Sequence, residues 1–266
     1  EEVVKEAEIF YKKENIKLFR IYTINSDPRV IETAELLRKK LGDDIEIFVG
    51  QISDITQARL LVEKAKVDAL IFGHGGGRQC TSATNGMAIS TVEEIYSIIK
   101  DEFFNDTSLI VEGGVGKSVG ALIILGVDCI LYNQQLVKGT LEIGGLFLQH
   151  LNGTFVQPYH GSASAPTMII EAANPNMHDQ RIDCSGRTKI PEGKPGYSKY
   201  SEKANSMTYW VEEFKHQAAR TLADLGVENM SELRTFLQTT DLDMLRIVSP
   251  EAAKTASAYG TAPFEY

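Results

Sequence analysis

The 266-residue sequence predicts an α/β protein built on a parallel sheet. Three observations lead there. Short apolar runs alternate with longer stretches of helical periodicity through the first half of the chain, the pattern of repeated βα units. Hydrophobic content of 43% and charged content of 24% are ordinary for a globular protein long enough to bury a sizeable core. A glycine-rich segment directly follows the apolar run Ala69-Leu70-Ile71-Phe72, where a strand of such a sheet hands over to a functional loop.

The elements follow in order. Strands are expected over residues 16–23, 45–49, 69–72, 109–111 and 129–131, each a short apolar run. Helices are expected between them, over 29–41, 55–66, 91–101 and 117–125. The second opens with Asp54-Ile55-Thr56-Gln57, which reads as a capping box. Functional loops should follow the strands, at 22–27, 50–53, 73–81, 112–116 and 132–139. From 153 to 206 the periodicity dissolves into Gly, Pro, Asn, Ser and charge, the composition of a lid or a disordered segment. It returns over 207–225, and another short helix begins at Ser231. The tail over 252–266 is small and polar, and no internal repeat stands out.

With 27 Lys and Arg against 36 Asp and Glu, the net charge of −9 offers no basic surplus for nucleic acid or an acidic membrane. Arg78 still provides a local positive charge for one anion. The 3 cysteines (Cys80, Cys129, Cys184) are widely spaced, so neither a disulfide framework nor a zinc site is expected. Cys129 lies in the apolar run 127–131 and reads as a small buried core residue. No signal peptide or membrane-length apolar run is visible, and the expectation is a cytoplasmic protein without a membrane partner.

The glycine-rich segment Gly73-His74-Gly75-Gly76-Gly77-Arg78-Gln79-Cys80-Thr81 carries the functional signal. Clustered glycines let backbone amides approach a ligand closely, and a cysteine at the tip of such a loop is positioned to act as a nucleophile. Arg78, two residues from Cys80, favours a partly ionised thiol. A (β/α) barrel needs eight strands. The five found here fit an open doubly wound sheet better on number alone.

A series of motifs changes that reading. The 73–81 segment resembles the catalytic cysteine loop of the IMP dehydrogenase / GMP reductase family, a Gly-x-Gly-x-Gly-Ser-x-Cys-Thr run. Ile110-Val111-Glu112-Gly113-Gly114-Val115 resembles that family's strand ending in Asp-Gly-Gly-Ile, and Gly126-Val127-Asp128-Cys129-Ile130-Leu131 its next barrel strand. Tyr159-His160-Gly161-Ser162-Ala163-Ser164 is similar to its Tyr-Arg-Gly-Met-Gly-Ser segment, and Pro191-Glu192-Gly193 to the Pro-Glu-Gly after its active-site flap. Glu232-Leu233-Arg234 and Ala262-Pro263 with Tyr266 resemble its carboxyl end. The blocks are co-linear over nearly the whole chain.

The resemblance implies a (β/α)8 TIM-barrel type fold, with this chain supplying about the last five β/α units, a flap and a C-terminal segment. Residues 1–152 would be the partial barrel with the cysteine loop, 153–206 the flap region, and 207–266 the C-terminal helices and tail. A half barrel exposes strand edges. A second polypeptide is therefore expected to supply the first strands, in a homo- or hetero-oligomer.

The resemblance also implies a purine-nucleotide oxidoreductase using NAD or NADP. The Cys80 thiolate would attack C2 of the purine, with Thr81 relaying a proton and Arg181 standing for the flap arginine that activates water. Glu112 would accept from the ribose hydroxyls, one methylene longer than the family's Asp. Gly113, Gly114 and Tyr159 would hold the phosphate, Asn133, Gly161 and Ser162 would also bind the substrate, and Glu192 would hold the purine edge. Tyr22, Thr23, Gln51, Gly73 and Gly75 would line the nicotinamide side.

The chain departs from the family at several of these positions. Tyr22-Thr23 stands for an Asp-Thr/Ser pair, Gln51 for Asn, and Arg78 for a phosphate-binding Ser that its guanidinium can replace bidentately. Tyr132-Asn133-Gln134 stands for a Gly-Ser phosphate pair, and Arg181-Ile182 lacks the family's tyrosine. Lys254 falls near an acidic position of the monovalent-cation site, so neither a potassium requirement nor a bound metal is expected. These departures motivate two further readings: a purine-ligand-binding subunit or sensor without catalysis, and a non-redox, thiol-dependent deaminase or substitution enzyme on a related heterocycle.

Overall fold

A computed structural model describes residues 1–22, 27–52, 54–73, 92–112, 119–132, 136, 139–143, 148–149, 153–160, 164–167, 169, 196–200 and 205–240. The chain opens with α1 (Glu2–Glu14), which ends where Asn15 turns left-handed at φ 53. The sequence reading has no helix here. Only Val4 and Ala7 of α1 are buried, and a face that narrow gives little apolar periodicity among so many charges.

Four βα repeats and a fifth strand follow as expected: β1 (Leu18–Tyr22), α2 (Pro28–Leu41), β2 (Glu46–Gly50), α3 (Ile55–Ala65), β3 (Ala69–Phe72), α4 (Val92–Ile99), β4 (Ser108–Glu112), α5 (Val119–Ile124) and β5 (Cys129–Leu131). Pro28 at the start of α2 and basic residues in its last turn agree with the helix's dipole and its orphaned first amides. Asp54 caps α3 by accepting from the Gln57 amide at 2.8 Å, one half of the expected capping box.

All strand pairs of this sheet are parallel, and the order β1-β2-β3-β4-β5 follows the chain without reversal. A doubly wound sheet needs a point where the order reverses. Uniform right-handed crossovers instead put every helix on one face. Residue parity agrees. Phe19, Ile21, Ile47, Val49, Leu70, Phe72, Leu109 and Val111 pack with the helices in the main core, whereas Ala69, Ile71 and Ile110 with Phe48 form a small cluster of strand residues alone. The architecture is a segment of a TIM-barrel type fold, and the open doubly wound sheet suggested by strand number is not adopted.

Two aspartates bolt the strand starts together in the same way. Asp68, just before β3, accepts the Ile47 amide at 2.7 Å and donates its own amide to the Ile47 carbonyl at 3.0 Å. Asp128, just before β5, does the same with Leu109, at 2.7 and 2.9 Å. Each carboxylate also takes an arginine: Arg38 of α2 at 2.7 Å for Asp68, and Arg234 for Asp128. Arg38 further donates to the Ile45 and Lys66 carbonyls, both at 2.7 Å. Asp68→Ala leaves the Ile47 amide without its carboxylate acceptor and takes the counter-charge from Arg38, so urea denaturation should find it less stable by about 2 kcal/mol.

A second sheet of antiparallel strands contains β6 (Leu148–Gln149), β7 (Phe155–Pro158) and β8 (Tyr197–Lys199). Two of these fall in the 153–206 stretch that reads as structureless. Their buried positions are polar, Gln157 and Ser198, so no apolar alternation marks them. The Ser198 hydroxyl accepts from the Gly139 amide at 3.1 Å. Then come α6 (Met207–Leu225), capped by Ser206, and α7 (Met230–Thr239), capped by Asn229.

The expectation for Cys129 is corrected: it is exposed. It sits opposite Ile110 on β5, which pairs with β4 alone among the described residues, so no neighbouring strand covers it. Partial burial, then the adjacent Asp128 carboxylate, pushes its thiol up rather than activating it.

Candidate functional site at the C-terminal ends of the strands

Parallel register lines up the strand ends: Tyr22 beside Gly50, Gly50 beside Ile71, Phe72 beside Val111, and Glu112 beside Leu131. This edge of the sheet is where βα loops leave, and where ligands of parallel α/β folds bind. Among the expected site residues, Tyr22, Gln51, Gly73 and Glu112 lie on this edge.

Gly73 shows why a glycine must open the cysteine loop. Its φ is +117, and a Cβ added there would lie 1.8 Å from the Glu112 carbonyl oxygen. The loop therefore leaves β3 in direct backbone contact with the residue expected to bind ribose. Gly50 is packed almost as closely, with a Cβ position 2.4 Å from the Ile71 carbonyl oxygen. Ile52 continues that contact by donating its amide to Ile71 at 2.7 Å.

The Glu112 carboxylate is held by Arg20 of β1 through a two-pronged contact, Nη1 to Oε1 at 3.1 Å and Nη2 to Oε2. The same guanidinium lies 5.2 Å from the centre of the Tyr22 ring. Arg20 and Glu112 sit on β1 and β4 with two strands between them, on the face opposite the helices, and each side chain is 31% exposed. Sequence reading passes over Arg20. The available signal is a lone charge inside the apolar run 16–23.

Gln51 follows β2 and is half-buried. Tyr22 is 59% exposed, an aromatic face at the end of β1. Asp27 caps α2, accepting the Arg29 amide at 2.9 Å and its guanidinium as well. The Arg29 side chain first, and then its amide, hold the Asp27 carboxyl at about 2, below the ordinary 3.8. A depressed carboxyl contributes stability above its unfolded value and loses it as pH falls through the folded one. The Asp27 contribution is thus complete above about pH 4 and fades toward pH 2. Asp27→Asn keeps a capping side chain but should flatten that part of a melting-temperature profile against pH.

Tyr132 stacks on Phe214 of α6, with ring centres 4.1 Å apart and planes at 10°. Burial pushes its phenol up to about 12. This bulk occupies the position that the resemblance gives to a Gly-Ser phosphate pair. Tyr159 directly follows β7, its amide donating to the Gly196 carbonyl at 2.9 Å and its phenol raised by burial. His160 Nδ1 accepts from the Gly196 amide at 3.2 Å. Tyr159 is therefore held beside the second sheet. Thr23, Gly75, Arg78, Cys80, Thr81, Gly113, Gly114, Asn133, Gly161, Ser162, Arg181 and Glu192 lie outside the described residues. Among the described residues no acidic, histidine or cysteine cluster suits a metal, and no helix is long and apolar enough to cross a membrane.

Comparison with known proteins places this geometry. The model of the IMP dehydrogenase / GMP reductase domain matches residues 23–249. No curated protein sequence matches the chain. Among solved structures, the chain resembles a cysteine-to-alanine variant of GMP reductase from Trypanosoma brucei in complex with guanosine 5'-monophosphate, with TM-score 0.67 and 18% identity over 87% of this chain and 46% of that one. It also resembles inosine 5' monophosphate dehydrogenase from Legionella pneumophila, with TM-score 0.60 and 20% identity over 87% of this chain and 67% of that one. The chain thus spans about half the length of the first of these.

Proposed function

Because the chain belongs to the IMP dehydrogenase / GMP reductase family, we propose that it takes part in a purine-nucleotide oxidoreductase reaction in which Cys80 is the nucleophile. The observation that carries this reading is the Gly73–Glu112 backbone contact. It makes the loop bearing Cys80 and Thr81 leave the sheet beside a carboxylate suited to a ribose. A carboxylate has about four acceptor positions. The Arg20 fork takes two of them and leaves the others for a vicinal diol.

In this reading the Cys80 thiolate adds to purine C2, and Thr81 and Arg181 manage protons on either side of the adduct. Arg78, Gly113, Gly114 and Tyr159 hold the phosphate, Asn133, Gly161 and Ser162 also bind the substrate, and Glu192 holds the purine edge. Tyr22 and Gln51 fit a nicotinamide: an exposed ring for stacking and an amide for hydrogen bonding stand at neighbouring strand ends. Thr23, Gly73 and Gly75 complete that side. NAD or NADP bound there would exchange a hydride with purine C2.

The test follows absorbance at the nicotinamide band with IMP, XMP and GMP, each with the oxidised or reduced cofactor, while retaining any co-purifying polypeptide. Cys80-dependent turnover in one direction is expected. Its absence for every pairing would contradict the reading.

The open sheet favours a second reading about assembly. Leu18 of β1 is 50% exposed and Leu131 of β5 36%, at the two unpaired edges of the described sheet, and Val3, Ile9 and Phe10 of α1 are exposed as well. Closing a barrel around five strands takes three more βα units. A second polypeptide supplying them would cover these residues. Light scattering of the purified protein should then give a mass above the 29.4 kDa of this chain.

A further inference from the structure

We propose that Arg20 is a positioning residue that sets the site's preference for ribose over deoxyribose, by fixing the Glu112 carboxylate in one orientation. The inference rests on the purine-nucleotide reading above and deepens it.

The sheet does not need Arg20 for its own sake. β1 is joined to β2 by regular backbone pairing from Leu18–Glu46 to Tyr22–Gly50, and the residues around Arg20 supply the apolar contacts. A charged side chain on the face away from the helices has no role in the main core. Yet the guanidinium reaches past two strands to grip Glu112 with both prongs. A two-pronged arginine–carboxylate contact fixes the carboxylate plane, which a single-point ammonium does not. Tyr22 bounds the guanidinium from a second direction, 5.2 Å from ring centre to Cζ.

The reason for such a grip lies in the length of the glutamate. A glutamate has one more rotatable bond than an aspartate, and ordering a free rotor on binding costs affinity. A carboxylate held in advance avoids that cost and meets both hydroxyls of a vicinal diol together. With the 2′-hydroxyl removed, one acceptor position on a fixed and partly desolvated carboxylate goes unfilled, which a free glutamate would relieve by rotating toward water. Selectivity for the diol therefore depends on the arginine as much as on the glutamate.

The experiment is isothermal titration of the purified protein, with any co-purifying polypeptide retained, using GMP and 2′-deoxy-GMP. The unaltered protein is expected to favour GMP by about tenfold or more, as for a hydrogen bond to a charged group. Arg20→Met and Arg20→Lys should bring the ratio close to one by weakening GMP alone, and Arg20→Lys retains the charge should Arg20→Met fold poorly. In a Glu112→Gln background, Arg20→Met should change the ratio no further. General damage to the fold weakens both ligands alike and leaves the ratio in place. A ratio that persists in Arg20→Lys, or an unaltered protein that binds both nucleotides equally, overturns the role of Arg20 but not the purine-nucleotide reading. An unaltered protein that binds neither nucleotide overturns both.

Discussion

Cys80→Ala should lower turnover by at least about a thousandfold, because it removes a group that acts only in covalent steps. GMP should still bind with an affinity within about threefold of the unaltered protein, since binding energy comes from groups around the thiol rather than from the thiol. Cys80→Ser should fare no better. Arg78 lies close enough in sequence to favour a thiolate, whereas a serine hydroxyl is ionised far too little at neutral pH for the same neighbour to help. The measurements are kcat from nicotinamide absorbance and Kd from titration. Turnover retained in Cys80→Ala would remove the covalent route while leaving the fold assignment in place.

The second large effect is on stability. Gly73→Ala puts a methyl group 1.8 Å from the Glu112 carbonyl oxygen at a φ of +117, so backbone must move as well as side chain. Strain and overpacking together should lower stability by roughly 3 kcal/mol, read from urea denaturation. Gly226 offers the control, because its φ of +72 and ψ of 26 are those of an ordinary left-handed helix cap and nothing lies within 4 Å of its Cβ position. Gly226→Ala should cost only about 1 kcal/mol, the conformational part alone. Equal losses at the two positions would mean that the β3 and β4 ends do not approach as closely as this account requires.

The βα repeats were legible in the sequence because each strand is a short apolar run with a helical stretch after it. Winding direction was not legible from strand number, and it is the unreversed order of β1 to β5 that separates a barrel segment from a doubly wound sheet. Elements with weak apolar patterns escaped: α1 buries only Val4 and Ala7, while β7 and β8 bury Gln157 and Ser198. Cys129 misled in the other direction, as an apolar run reads the same on an uncovered edge strand as in a core. The matching Val67-Asp68 and Val127-Asp128 bolts form a structural repeat too short to register as a sequence repeat.

At the site, Gly73 could be named because a glycine cluster is a local signal, and Glu112 because its block resembles the family's strand ending in Asp-Gly-Gly-Ile. The Arg20 contact is not local. It joins residues 92 positions apart, and only the strand order brings them together. The Asp27 cap follows from Asp27-Pro28 at a helix start, a pattern that capping chemistry makes readable.

The central claim is that Cys80 bonds covalently to a purine ring. Its most direct test is mass spectrometry of the protein quenched in acid during turnover with a purine nucleotide and nicotinamide cofactor, followed by peptide mapping. The account predicts a nucleotide-sized mass increment on the peptide that contains Cys80, absent in Cys80→Ala. Turnover without any such increment, or an increment that maps to Cys129 or Cys184 instead, would contradict it.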